Sequence, residues 1–263
     1  MKSRAWYGIV IIACASLVFF LFGFVQAVRF TSGAQRDAAG PAPPVIASPA
    51  AKNPDDVNIL IIGDSIAKGT GDEQFKGFGG YLPELMKNQT KKSIVVDNAG
   101  IDGLKTPDLL QLVRSGRLDS AMAAADYILI SIGGNDLREI QSLKDIAKEA
   151  AYREKRDAYL AGLNEIVGEI RADNQDAVLI FIGLYDPYAG ENANENAGMV
   201  SGWNYETQII AAKDGKAVFV PTYDLFRFNL DRFIAGDRLH PNSAGYQTVS
   251  YFINKAVENT LKH

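Results

Sequence analysis

Cysteine is almost missing from these 263 residues: Cys14 stands alone. A single thiol excludes an intrachain disulfide and a thiolate metal cage. Histidine is nearly as scarce, with only His240 and the terminal His263. If the chain uses a histidine base, His240 is almost the sole choice. Basic residues are not in excess: 27 Lys and Arg against 31 Asp and Glu leave a formal net charge of -4. A general nucleic-acid binder would show the opposite sign. No phosphate-binding glycine loop ends in Lys-Ser/Thr. The acids Asp136, Asp186 and Asp224 have no histidine partners, so neither a metal nor a cofactor is expected. What the chain does have is apolar bulk, 47% hydrophobic against 22% charged, the balance of a chain that buries a core. The length suits one domain of ordinary α/β size.

The first charge-free stretch runs from Trp6 to Val25, 20 residues, which is about what a helix needs to cross a bilayer core. Lys2 and Arg4 precede it and Arg29 follows, so the short tail is expected in the cytoplasm and the rest outside. Val25-Gln26-Ala27 has the small-x-small look of a signal-peptidase site, yet the run exceeds the apolar core of a cleaved signal. Ile11-Ile12-Ala13-Cys14 resembles a lipobox, but the apolar run continues past Cys14. The reading is an uncleaved single-pass anchor over residues 1–30, with a secreted, cleaved form as the alternative. Residues 31–54 hold five of the ten prolines among Ala, Gly and Ser. Such a segment buries no core and spans roughly 25–30 Å as a coil. It would keep a folded domain, residues 55–263, near the outer membrane surface.

From Val57 onward short β-branched runs alternate with helical patterns. Val57–Ile62, Ser93–Asp97, Tyr127–Ile132, Ala177–Ile182 and Ala217–Val220 read as strands covered on both faces. Tyr159, Leu160, Leu163, Ile166, Val167 and Ile170 repeat at helical spacing. Thr106-Pro107 reads as an N-cap with proline in the first turn. Val249, Phe252, Ile253, Ala256, Val257 and Leu261 form one face of a last helix. Alternating β and α with right-handed crossovers gives a parallel sheet between helices. In such folds ligands gather at the carboxyl ends of the strands.

The residues that follow those strands carry chemistry. Gly63-Asp64-Ser65 follows the first. Taken alone it is equally a tight turn in which Asp64 or Ser65 caps a helix. A serine hydroxyl needs a base to become a nucleophile. His240 can be that base, and Asp237, three residues earlier, can accept the proton of the other ring nitrogen and fix the tautomer. Asn242 or Ser243 can cap the last helix and pin the histidine. A developing oxyanion needs donors: the Ser65 N–H, the Asn135 side chain after Gly133-Gly134, and a glycine N–H after the second strand. Leu184, Tyr185, Tyr188, Trp203, Phe75 and Phe78, with Met199 and Val200, are candidates for a substrate groove, although ordinary packing explains such residues equally well.

Together Gly63-Asp64-Ser65, Gly133-Gly134-Asn135-Asp136 and Asp237-x-x-His240-Pro241-Asn242 resemble, in order, the blocks of the SGNH, or GDSL-type, hydrolase superfamily. The resemblance is greatest to its membrane-anchored lipase/esterase-like subgroup of bacilli and relatives. It implies a flavodoxin-like three-layer α/β/α sandwich with a five-stranded parallel sheet. It also implies hydrolysis of esters or thioesters through an acyl-enzyme without a metal. Ser65 would be the nucleophile, His240 the base and Asp237 its orienter; Ser65, Gly103 and Asn135 would form the oxyanion hole. Gly103 is preferred to Gly100 because the family pattern counts five residues on from Asn98. Arg238 departs from the glycine that many members carry.

The expected function is an extracytoplasmic serine esterase of lipase or lysophospholipase type, acting on lipid-like acyl esters. Its partners would be an acyl-ester substrate and the membrane, with no nucleic acid. An O-acetyl esterase of cell-wall or extracellular polysaccharide, or an inactive tethered binding module, is the alternative.

Overall fold

The computed structural model describes residue 16 and residues 53–141, 145–188 and 193–260. The chain divides into two units, 1–44 and 45–263, and the fold below is that of the second. The expected anchor, residue 16 aside, and the linker up to residue 52 lie outside the described residues. Among the described residues no helix is long and apolar enough to cross a membrane.

The chain runs β1 (Asp56–Gly63), α1 (Ser65–Lys68), α2 (Gly77–Met86), β2 (Ser93–Gly100), α3 (Thr106–Arg114) and α4 (Asp119–Ala124). It continues with β3 (Tyr127–Ser131), α5 (Gly134–Gln141), α6 (Asp145–Asp173), β4 (Val178–Ile182) and α7 (Ala193–Lys213). It ends with β5 (Ala217–Val220), α8 (Tyr223–Arg227), α9 (Leu230–Phe233) and α10 (Ser243–Val257). All strand pairs are parallel, and their order is β2-β1-β3-β4-β5. The order reverses at β1, so β1 and β3 leave the sheet in opposite senses and open a crevice at their carboxyl ends.

Side chains alternate across the sheet with the period of two that a strand imposes. Leu60, Ile62, Ile128, Ile130, Leu179 and Phe181 face the layer made by α3 to α7. Ile59, Ile61, Tyr127, Leu129, Ile180 and Ile182 face the layer of α2, α8, α9 and α10. Two cores, one on each face, make the three-layer α/β/α sandwich. Because both faces of the central strands are covered, their buried residues are apolar, with Ser131 at the end of β3 as the exception. β2 is different: it is an edge strand, and Val95 is exposed.

The helices follow the expected stripes with two corrections. In α6, Tyr159, Leu163, Ile166 and Ile170 are buried. In α10, Val249, Ile253 and Val257 are buried, whereas Ala256 and Phe252 are turned to solvent, Phe252 stacking edge-on with Tyr251. Leu261 lies outside the described residues. Thr106 does not serve as the N-cap of α3; it is the first helical residue, and Lys105 stands at the cap. Its N–H and hydroxyl are instead taken by the buried carboxylate of Asp136.

Candidate active site

Gly63 closes β1 with φ 134, where a Cβ would lie 1.8 Å from the carbonyl oxygen of Ser131 on β3. Only glycine allows that approach. The Asp64 N–H then donates to the same carbonyl at 2.9 Å, which turns the chain sharply out of the sheet. Asp64 accepts the Ile66 N–H at 2.9 Å and so caps α1. Ser65 is thereby held at the first turn of α1, nearly buried but lining a cleft.

The loop between α9 and α10 brings the partners. Ala235 N–H donates to the His240 carbonyl, and Asn242 N–H donates to the Phe233 carbonyl. The Asn242 side chain accepts the Gly245 N–H at 3.0 Å and caps α10. Within this brace, His240 Nε2 lies 2.8 Å from Ser65 Oγ, and Nδ1 lies 2.6 Å from Asp237 Oδ2. The other Asp237 oxygen accepts the N–H of Leu239 and of His240. Carboxylate, imidazole and hydroxyl thus form one continuous line. Such a line can shift a proton from the hydroxyl to the ring as the oxygen attacks.

Matching of the GDSL-like Lipase/Acylhydrolase family model extends over residues 61–248, from inside β1 into α10. The chain belongs to this family. Among curated relatives it is 30% identical over 214 residues to the uncharacterized protein YpmR of Bacillus subtilis, covering 79% of this chain and 84% of that one. It is 26% identical to a spore germination lipase, LipC, of Bacillus licheniformis, covering 72% and 91%. The crystal structure of the lipase Lip_vut3 from a goat rumen metagenome shares the fold with a TM-score of 0.69, at 22% identity, over 76% of this chain and 97% of that one.

In this GDSL-like hydrolase the loops that follow β2 and β3 lock onto each other. Asn135 Nδ2 donates to the Leu104 carbonyl at 2.9 Å, and Asp136 accepts the N–H and hydroxyl of Thr106. Asn98 ties the loop back to α1: its amide donates to the Ala67 carbonyl and its oxygen accepts the Gly100 N–H at 2.9 Å. Gly100 therefore has its N–H committed. Gly103 stands beyond it with φ 76 and no heavy atom within 4 Å of where a Cβ would point.

Carboxyl groups in the site are set in opposite directions. Burial acts to raise Asp237, but the His240 ring and the N–H groups of His240 and Leu239 outweigh it and hold the group below the ordinary carboxylate value. Asp64 has no cation to offset its burial. Its carboxyl is pushed up to about 7, against the N–H groups of Ile66 and Ala67 and with added repulsion from Asp136. Burial likewise raises Asp136, with Thr106 pulling the other way.

Beside Ser65 opens a half-enclosed cleft, lined largely by apolar groups. Leu184 and Tyr185 line it as the sequence suggested, and so do Tyr188 and Val200. Tyr185 stacks on Phe226 at 4.1 Å, and its hydroxyl donates to the Leu239 carbonyl at 2.7 Å. Trp203 does not line the cleft. It is fully buried against Tyr159, with ring centroids 4.6 Å apart, and belongs to the core. Phe78 is also buried, in the opposite core, while Phe75 is 94% exposed. Leu137 and Arg138, which no sequence motif singled out, do line the cleft. Their one available signal is spacing: Arg138 is three residues after Asn135 on α5, hence on the same helix face.

Proposed function

We propose that this chain is a serine esterase cleaving lipid-like acyl esters outside the cytoplasm, tethered by its N-terminal segment. One observation carries the reading: the hydrogen-bonded line Asp237–His240–Ser65 beside an apolar cleft. Ser65 Oγ attacks the ester carbonyl carbon while His240 Nε2 takes the hydroxyl proton. Asp237 holds the Nδ1 proton, fixing the tautomer and stabilising the imidazolium that forms. The tetrahedral oxyanion is received by the Ser65 N–H, the Gly103 N–H and the Asn135 side chain, whose second amide hydrogen remains after the bond to Leu104. The committed N–H of Gly100 supports Gly103 as the donor from this loop. Collapse expels the alcohol, which recovers the proton from His240, and leaves the acyl group on Ser65. A water deprotonated by His240 then releases the acid and restores the serine.

The cleft favours an acyl chain over acetyl. Leu137, Leu184, Tyr185 and Val200 offer apolar contact, and each buried CH₂ contributes about 0.8 kcal/mol. The relationship to a protein named as a spore germination lipase points the same way. The extracytoplasmic, anchored placement rests on the uncharged run from Trp6 to Val25 and the basic residues before it.

The test is labelling of the purified protein with a fluorophosphonate, followed by kinetics on esters of graded acyl length. A single adduct on Ser65, lost in Ser65→Ala, and a kcat/KM that rises from acetyl to medium chains are expected. Absence of labelling would leave a binding module. A steep preference for acetyl, with acetate released from cell-wall polymer, would make it an acetyl esterase. In cells the full-length protein should fractionate with membranes and be cut by external protease. A mature chain beginning at Val28 would sink the anchor and leave a secreted enzyme.

A further inference from the structure

Arg138 sits on α5, the helix that also presents Asn135, and both line the cleft beside Ser65. Its side chain is exposed. Among the described residues it forms no hydrogen bond, ion pair or ring contact. Other cations of this domain are engaged. Lys105 and Lys155 both bind Glu139, the acid adjacent to Arg138, and Lys68 binds Asp102. The cleft lining offers Arg138 no exposed counter-charge either. Asp64, its one carboxyl, is 3% exposed and biased by burial toward the neutral form. An arginine left without a partner on the wall of an otherwise apolar cleft is a receptor for a planar or tetrahedral oxyanion.

We infer that Arg138 is a specificity determinant that receives a phosphate on the alcohol side of the scissile ester. Arg138 thereby selects, among acyl esters, those of a phosphorylated alcohol. This deepens the esterase reading and rests on it. The charge belongs on the alcohol and not on the acyl tail, because the tail must lie along Leu137, Leu184, Tyr185 and Val200, where an anion would lose its hydration without return. Arg138 takes no part in the bond-breaking steps. It adds a charge-assisted contact to the bound substrate, and the alcohol phosphate leaves with its charge unchanged.

The experiment compares two soluble esters with the same hexanoyl chain, monohexanoylglycerol and monohexanoylglycerol phosphate, both below any micelle concentration so that surface charge plays no part. The full-length protein in an uncharged detergent, whose micelles carry no surface charge, is assayed as wild type, Arg138→Ala, Arg138→Lys and Arg138→Glu. Wild type is expected to favour the phosphate ester by about threefold to tenfold in kcat/KM, the scale of a partly solvated ion pair. Arg138→Ala erases that preference, Arg138→Lys keeps part of it, and Arg138→Glu reverses it. The readout is the ratio of the two esters within each protein, with turnover of the neutral ester as the internal reference. Raising the salt concentration narrows the wild-type preference and leaves that of Arg138→Ala unchanged. Inorganic phosphate, tested as a competitor, inhibits wild type more than Arg138→Ala if the phosphate group alone is recognised. Turnover of both esters with no preference in wild type overturns the assignment, as does equal loss on both in Arg138→Ala. Failure to hydrolyse either ester, with no labelling of Ser65, overturns the esterase reading and this inference together.

Discussion

Gly71 lies directly against His240: a Cβ on Gly71 would stand 2.6 Å from the Cβ of His240 and 2.6 Å from the Pro241 carbonyl oxygen. Its φ of 93 adds a second reason for glycine. The segment around it is fastened on both sides. Tyr246 donates to the Thr70 carbonyl, and Asp72 and Glu73 accept from the hydroxyl and N–H of Ser243. Gly71→Ala therefore has no slack to absorb the methyl and must displace the His240 loop. Misplacing a catalytic group by about 1 Å costs roughly 10²-fold. The expected result is a kcat loss of that order, slower fluorophosphonate labelling, and a folded far-UV spectrum with a lowered Tm. Wild-type kcat in this variant would show that the contact does not position His240.

Asn135→Ala removes one proposed oxyanion donor and also the bond to the Leu104 carbonyl. Loss of one such donor lowers kcat by about 10²–10³-fold with little effect on KM. Asn135→Asp keeps the size and loses the N–H, so it should fall as far. Measuring both by steady-state kinetics separates the two roles, because a loss confined to KM would assign Asn135 to ground-state binding.

The strands were readable in the sequence because each is an apolar run ended by Gly, Asn or, after β5, Pro, and the observed bounds shift by at most a few residues. The loops that carry Ser65, Asn135 and His240 were readable because parallel strands deliver their next residues to one edge. The failures share a cause. An aromatic side chain in a helix near the cleft is ambiguous until the helix is rotated into place, and α7 turns Trp203 into the core. Phe75 and Phe78 are three residues apart, but Phe75 precedes α2 with φ 56, so the two point differently. Arg138 looks like any arginine on a surface helix; only its place in the cleft and its lack of a partner distinguish it. Arg238 has φ 58, a conformation that glycine adopts without strain, which fits the glycine that the family pattern implies there.

Tyr185 serves two surfaces, with its ring lining the cleft and its hydroxyl on the Leu239 carbonyl, one residue before His240. Tyr185→Phe keeps the ring stacked on Phe226 and removes only the donor. Leaving that carbonyl without its bond costs about 1–3 kcal/mol. A lower Tm and a several-fold drop in kcat are expected, with the acyl-chain preference retained. Tyr185→Leu should also flatten the chain-length profile. If Tyr185→Phe matches wild type in kcat and Tm, the hydroxyl contributes nothing to holding the loop.

Asp64 links the site to stability. In the folded protein its carboxyl is raised from 3.8 to about 7, chiefly by burial. Between those two values the native state keeps a proton that the unfolded chain has released. Stability attributable to Asp64 therefore falls as pH rises from about 4 to about 7, and the whole penalty is present above that window. Asp136 is raised by burial as well and acts with the same sign. Asp64→Asn retains an oxygen to accept the Ile66 N–H, so the cap of α1 survives, while the ionisable proton is gone. The variant should match or fall slightly below wild type at pH 4, gain on it through pH 6, and exceed it at pH 8. Urea unfolding of both proteins across that range reads the difference directly. A constant difference at every pH would mean that Asp64 titrates alike in the folded and unfolded chain, and that its burial is not felt as charge.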